Sequence, residues 1–215
     1  MKSVNFLNRG FLNLLFPLRC SECGKRLSPE SDYLFFCKDC ISSIPFRRGK
    51  IKAETYAVCK YDGIVKKTIH RLKYGKQRFL AQTLGLISAD FYRKNLESRK
   101  IDFIVPVPLH RVRREERGFN QSELIALALA KNLNIPLSLN NLVRIRNTPS
   151  QTLIKKKERL KNLKGAFRVK KPYRFLKRSV LLIDDVYTTG ATTDECRKVL
   201  KKVGTEKVFI LTFAS

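Results

Sequence analysis

Acidic residues are scarce in this chain: 18 Asp and Glu stand against 45 Lys and Arg, a formal net charge of +27 over 215 residues. A balance so far from zero exceeds what solubility requires and predicts a polyanionic partner, either nucleic acid or an anionic membrane face. A lysine-biased proteome would give the same composition without such a partner. Long apolar runs are also lacking. The stretch at 11–18 is too short to span a bilayer, has no small-x-small cleavage site, and runs straight into Cys20, which argues against a secretory signal. Val4, Leu7, Phe11, Leu14, Leu15 and Leu18 fall near helical spacing, so residues 1–19 are expected to form a short amphipathic helix docked on its own protein, with a membrane surface as the alternative. Histidine is nearly absent. His70 and His110 have no partner assignable from spacing and are expected to be surface or hydrogen-bonding residues rather than catalysts.

Cysteine, by contrast, is patterned. Cys20 and Cys23 form one C-x2-C pair and, thirteen residues on, Cys37 and Cys40 form another. Four thiolates paired on two tight turns can close a tetrahedral shell around zinc. Gly24 supplies the positive backbone angle that such a turn commonly needs. Two disulfides would fit a secreted protein, but the missing signal and the leftover Cys59 and Cys196 disfavour them, and an iron–sulfur cluster is a further rival. A shell filled by protein thiolates leaves no open position for substrate, so the metal is expected to hold a small module together at 20–45 rather than to catalyse. Cys59 and Cys196 are expected to be buried small hydrophobes.

The rest of the chain alternates strands and helices, which predicts an α/β domain over 46–215 with a mostly parallel sheet and ligands at the carboxyl ends of its strands. Residues 55–61 alternate like a half-buried strand. Ile64, Val65, Ile69 and Leu72 recur at helical intervals, as do Leu80, Leu84, Ile87 and Phe91. Lys66, Lys67, Arg71, Lys73, Lys76 and Arg78 punctuate that helix pair without an intervening acid and suit either a solvated face or phosphate contacts. Residues 102–108 read as a strand tipped by prolines. The following loop at 109–121 carries four arginines, whose forks suit pyrophosphate, and leads into a helix from Ser122 to Leu133. Between Lys155 and Arg178 there are twelve basic residues against one Glu, with Phe167, Tyr173 and Phe175 interleaved. Cations along a backbone with aromatic stacking faces are the components of single-strand binding, and Lys155, Lys156, Lys157 and Arg159 are its candidate contacts; the alternative is a solvated loop whose aromatics belong to an adjacent strand.

The most informative stretch is the apolar run Val180, Leu181, Leu182, Ile183, the acid pair Asp184 and Asp185, and the small-residue turn Thr188, Thr189, Gly190, Ala191 and Thr192. It predicts a buried strand that delivers two carboxylates beside a helix start, where outward-pointing backbone N–H groups favour an anion. This string resembles the signature of type I phosphoribosyltransferases. The resemblance implies that Asp184 and Asp185 bind the ribose hydroxyls of phosphoribosyl pyrophosphate (PRPP), while Thr188, Thr189, Gly190, Ala191 and Thr192 cradle its 5′-phosphate. It departs from the 6-oxopurine salvage enzymes, which carry an Asp where Thr188 stands, and this argues against hypoxanthine or guanine as substrate.

Four landmarks now stand in order, namely the paired cysteines, His70-Arg-Leu-Lys-Tyr74, the Val105-Pro-Val-Pro-Leu109 segment with Arg117-Gly-Phe-Asn-Gln121, and the acid-pair and glycine turn at 184–192, and nearly the whole chain resembles the ComF (ComFC) family. Arg144, Gln151, Arg159 and Asn162 also fit the spacing between the last two. That resemblance implies a zinc-finger module fused to a type I phosphoribosyltransferase domain, acting in the cytoplasm during uptake of single-stranded DNA alongside other competence proteins, with peripheral contact to an anionic inner membrane as a further expectation. If it is an enzyme, Asp184 and Asp185 are its catalytic candidates, magnesium accompanies PRPP, and residues 148–162 are expected to close over the site. A metabolic phosphoribosyltransferase in nucleotide salvage or synthesis, a PRPP sensor without turnover and a zinc-finger scaffold for uptake proteins are the alternatives. The acceptor and the oligomeric state are left open.

Overall fold

The computed structural model describes residues 18–27, 33–147 and 163–215. The expected helix at 1–19 lies almost wholly outside these residues, as do the closing segment at 148–162 and Lys155, Lys156, Lys157 and Arg159.

Strands β1 (Lys50–Lys52), β2 (Thr55–Cys59), β3 (Phe103–Pro106), β6 (Ser179–Val186) and β7 (Lys207–Ala214) form one sheet in the order β1-β2-β7-β6-β3; β4 (Leu142–Arg144) and β5 (Phe167–Val169) form a separate antiparallel pair. Only the β1–β2 edge of the main sheet is antiparallel. The fold class is therefore the one expected, a mostly parallel sheet flanked by helices. The helices are α1 (Lys38–Ser42), α2 (Gly63–Tyr74), α3 (Leu80–Asn95), α4 (Arg111–Arg117), α5 (Gln121–Leu133) and α6 (Ala191–Lys202).

Central parallel strands are covered on both faces, and their residues alternate between two cores. Leu181, Ile183, Phe209, Leu211 and Ile104 pack with α2, α3 and α5, whereas Val180, Leu182, Val208, Ile210 and Val105 pack with α6 and the β4–β5 pair. The strand at 55–61 departs from expectation. All five residues of β2 are buried, because β2 lies inside the sheet between β1 and β7 rather than presenting a solvated face.

One further expectation is corrected. The arginine loop at 109–121 contains α4, a helix with no buried residue and hence no apolar stripe to betray it. His110 caps its start by accepting from the Val112 amide, an Arg111–Glu115 ion pair spans one turn at 3.2 Å, and Gly118 ends it at φ 78°. Of the two readings of the aromatics among the basic residues, the one that assigns them to adjacent packed structure holds for Phe167 and Phe175. Phe167 and Phe175 are buried in the α6-side core, and only Tyr173 is exposed. Their hydrophobic surface anchors β5 and the turn before β6. Cys59 and Cys196 are fully buried, as expected.

Candidate functional site

The carboxyl ends of β3, β6 and β7 lie at one edge of the sheet, with Pro106 level with Ile183 and Asp184 level with Thr212. β6 does not stop before the acids but runs through both to Val186, so the ladder fixes their backbone. Asp185 is 4% exposed and its carboxylate is ion-paired with Lys73 of α2. Asp184 Oδ1 accepts from Ser122 Oγ at 2.8 Å and from the Asp185 amide at 2.9 Å. Ser122 is placed by Asn120, whose side chain accepts from the Ser122 amide at 3.1 Å and donates to the Val107 carbonyl at 3.0 Å, tying the start of α5 to the end of β3.

Burial, and then the neighbouring Asp185 charge, push the Asp184 carboxyl up to about 7 against the opposing pull of Ser122 and Lys73. Burial pulls Lys73 down, but the Asp185 charge and hydrogen bond outweigh it, and its ammonium is held above its ordinary range. One cation thus serves two closely set acids, an arrangement that retains appetite for a further cation or for hydroxyl donors.

The turn between β6 and α6 needs its glycine. Gly190 holds φ 77°, and a Cβ there would come within 2.3 Å of the Tyr187 hydroxyl. Thr189 Oγ1 accepts from the Ala191 amide at 3.4 Å and Thr193 Oγ1 donates to the Gly190 carbonyl at 3.1 Å, so the hydroxyls brace the start of a twelve-residue helix whose dipole favours an anion at that end. Asp184, Asp185, Thr188, Thr189, Gly190, Ala191 and Thr192 all line one cleft of about 400 Å³. Its opposite wall is Tyr61, His70, Lys73 and Tyr74. Lys73 was expected only as one of six basic residues and as part of the His70–Tyr74 landmark, with no role in the cleft, whereas His70 is exposed, as expected. The spacing of His70, Lys73 and Tyr74 at i, i+3 and i+4 was the signal that they share one helical face. Nothing in the sequence pairs Ser122 with Asp184.

Cys20, Cys23, Cys37 and Cys40 converge, their sulfurs all within 4.8 Å of one another, and could hold a metal such as zinc. Cys23 and Cys37 Sγ are 3.7 Å apart, close to the roughly 3.8 Å edge of a tetrahedron with metal–sulfur bonds of about 2.3 Å. Burial raises the Cys20 thiol, but the Cys23, Cys37 and Glu22 amides pointing at it prevail and lower it to about 7, the donor set a thiolate ligand wants. The turns are built accordingly: the Gly24 amide closes on the Cys20 carbonyl at 2.9 Å, and Cys37 caps α1. Leu27, Phe36 and the cysteines pack on Leu80 of α3 and Ile64 of α2. Arg71 of α2 donates to the Ser21 carbonyl and the Glu22 carboxylate, and Lys67 donates to Glu22 at 3.1 Å. The helix that carries Lys73 to the acids is therefore clamped to the cysteine module.

Among the described residues no helix is long and apolar enough to cross a membrane. Solved structures similar to the chain include adenine phosphoribosyltransferase from Leishmania tarentolae (TM-score 0.44, 13% identity, 75% of this chain and 78% of that one) and glutamine PRPP amidotransferase from B. subtilis (TM-score 0.42, 20% identity, 61% and 25%). At this level the likeness carries no weight. No family model matches. Curated relatives are nearer: DNA utilization protein YhgH of Escherichia coli K12 is 30% identical over 192 residues, covering 88% of this chain and 80% of that protein. Competence protein ComFC of Bacillus subtilis is 31% identical over 188 residues, covering 86% and 72%. Competence protein F of Haemophilus influenzae is 34% identical over 195 residues, covering 88% of this chain and 81% of its own. With relatives 30–34% identical over 86–88% of this chain and 72–81% of their own length, the chain belongs to the competence protein F (ComF/ComFC) family.

Proposed function

We propose that the protein binds PRPP with magnesium in the cleft at 184–192 and acts in DNA uptake, handling single-stranded DNA on its basic surface in the cytoplasm. The observation that carries the reading is the convergence, in one cleft, of an acid pair at a strand end with a glycine-dependent helix start. The 5′-phosphate sits at 188–192, where the helix dipole and turn amides meet it. Asp184 and Asp185 accept hydrogen bonds from the ribose hydroxyls, and their carboxylate oxygens would suit magnesium, which favours oxygen ligands and would supply charge neutralisation for the pyrophosphate. Lys73 holds Asp185 ready by neutralising it. Relatives described as competence and DNA utilization proteins support the setting in DNA uptake. Zinc on the four cysteines is structural and braces α2.

A thermal-shift titration tests this reading. At a hundredfold excess over the dissociation constant a ligand stabilises by about 2.7 kcal/mol, or about 5 to 10 °C for a chain of this size. Magnesium–PRPP should produce that shift in the wild type and none in Asp184→Ala/Asp185→Ala; an equal shift in both would defeat the assignment. Release of pyrophosphate with a nitrogen acceptor would mark a phosphoribosyltransferase, and binding without release a sensor.

A further inference from the structure

A second cleft, of about 230 Å³, adjoins the first and shares Lys73 and Tyr74 with it. Its other walls are Lys76, Arg113, Glu116 and Arg117, so four cations face one acid. Lys73 is engaged by Asp185 and Arg117 by Gln121 at 2.6 Å, but among the described residues neither Lys76 nor Arg113 has an ion-pair partner. Lys76 also holds φ 54°, in the left-handed region, where a lysine is strained and glycine or asparagine would not be. With no ion-pair partner among the described residues, Lys76 is available to an anionic ligand at the cleft mouth. At the junction of the two clefts the Tyr74 ring is 61% exposed, with the His70 ring centroid at 4.9 Å and the Arg117 guanidinium at 5.4 Å. An exposed ring amid cations is what an unpaired base stacks on, whereas a duplex hides its base faces.

We propose that this second cleft is a docking track for single-stranded DNA, its phosphodiester backbone crossing Lys76, Arg113 and Arg117 and a base meeting Tyr74 at the mouth of the sugar-phosphate cleft. The proposal rests on the reading above that a DNA strand is a ligand of this protein, and it places the strand on α2, α4 and the turn after α2 instead of on residues 155–159. Because Lys73 and Tyr74 belong to both clefts, the two ligands sense each other, and saturating PRPP changes oligonucleotide affinity.

Fluorescence anisotropy of a labelled oligothymidylate of about 15 nucleotides, long enough for one groove, tests it on the full chain. Lys76→Glu/Arg113→Glu should weaken binding at least tenfold and flatten the slope of log affinity against log salt by about 1 to 2, the loss expected for two phosphate contacts on a single strand. Lys94→Glu/Lys100→Glu makes the same change in net charge at exposed positions near the opposite end of the sheet and should cost less than threefold. Tyr74→Ala, which keeps the charge, should weaken the oligonucleotide at least fivefold by loss of stacking. Equal losses in the two charge-reversed variants would overturn the proposal. So would a cleft variant that keeps oligonucleotide binding but loses the PRPP melting shift, which would assign the cleft to pyrophosphate, or one that loses only its capture by phosphatidylglycerol vesicles. Absence of a PRPP shift in the wild type would sink the sugar-phosphate reading alone, and absence of oligonucleotide binding would sink the DNA reading itself.

Discussion

Replacing Asp184 with Asn isolates the electrostatics of the acid pair. The Asp184 carboxyl stands at about 7 rather than 3.8 because burial and the adjacent Asp185 charge disfavour its ionised form. A raised carboxyl stabilises the fold while it is protonated; that stability is lost as pH rises through the folded value. Linkage puts the loss at about 2 kcal/mol between about pH 5.5 and about pH 8.5, since the unfolded chain is already ionised over that window while the folded site still gives up its proton. Asparagine keeps the shape and can still accept from Ser122, but it does not titrate. Urea denaturation of wild type and Asp184→Asn across that range should therefore diverge, the variant gaining about 2 kcal/mol on the wild type toward the alkaline end. Taking the difference between the two proteins cancels titrating groups remote from the pair, the cysteine thiols included. Parallel stability curves would show that Asp184 ionises freely and that the pair exerts no mutual strain.

Gly190→Ala forces a side chain into the left-handed region and into the Tyr187 ring; a cost of about 2 to 4 kcal/mol in denaturant titration follows from the backbone and overpacking terms together, and a change under about 0.5 kcal/mol would refute the geometry. Removing Lys73 as Lys73→Met leaves Asp185 buried without a counter-charge, and a loss of about 3 to 5 kcal/mol at neutral pH is the expected outcome of the same titration, with a change under about 0.5 kcal/mol contradicting it. A zinc chelator, or Cys37→Ser, should collapse the cysteine module and release its packing on Leu80 and Ile64. Hydrogen exchange should then report opening of α2 near Arg71, and full protection of α2 in the metal-free protein would show that the clamp does not depend on metal.

The parts of the site that are contiguous in sequence were legible before the structure. Val180 to Ile183 reads as a strand because its residues are apolar on both faces, and the turn at Gly190 reads as a helix start because small residues precede an amphipathic pattern. The cysteine pairs were legible because two short spacings force their sulfurs onto two turns. What long-range packing decides was not. Lys73 meets Asp185 only because α2 reaches the sheet edge, and its spacing from His70 and Tyr74 marks a shared helical face without saying what that face meets. Ser122 reaches Asp184 through a hydrogen bond set by Asn120. α4 escaped notice because its stability comes from a cap and an ion pair rather than from burial. Two readings of Phe167 and Phe175 stayed open, stacking face or packed core, because basic neighbours along the chain say nothing about which way a ring points.

The central claim is that Asp184 and Asp185 hold a phosphorylated ribose with its metal. Calorimetric titration of magnesium–PRPP near neutral pH, repeated in buffers of different ionisation enthalpy, tests it most directly. Binding that requires an ionised Asp184 must expel a proton from a carboxyl poised at about 7. The account predicts a binding enthalpy that varies with buffer in the wild type and loses that variation in Asp184→Asn. Undiminished affinity and the same proton release in the variant would contradict it.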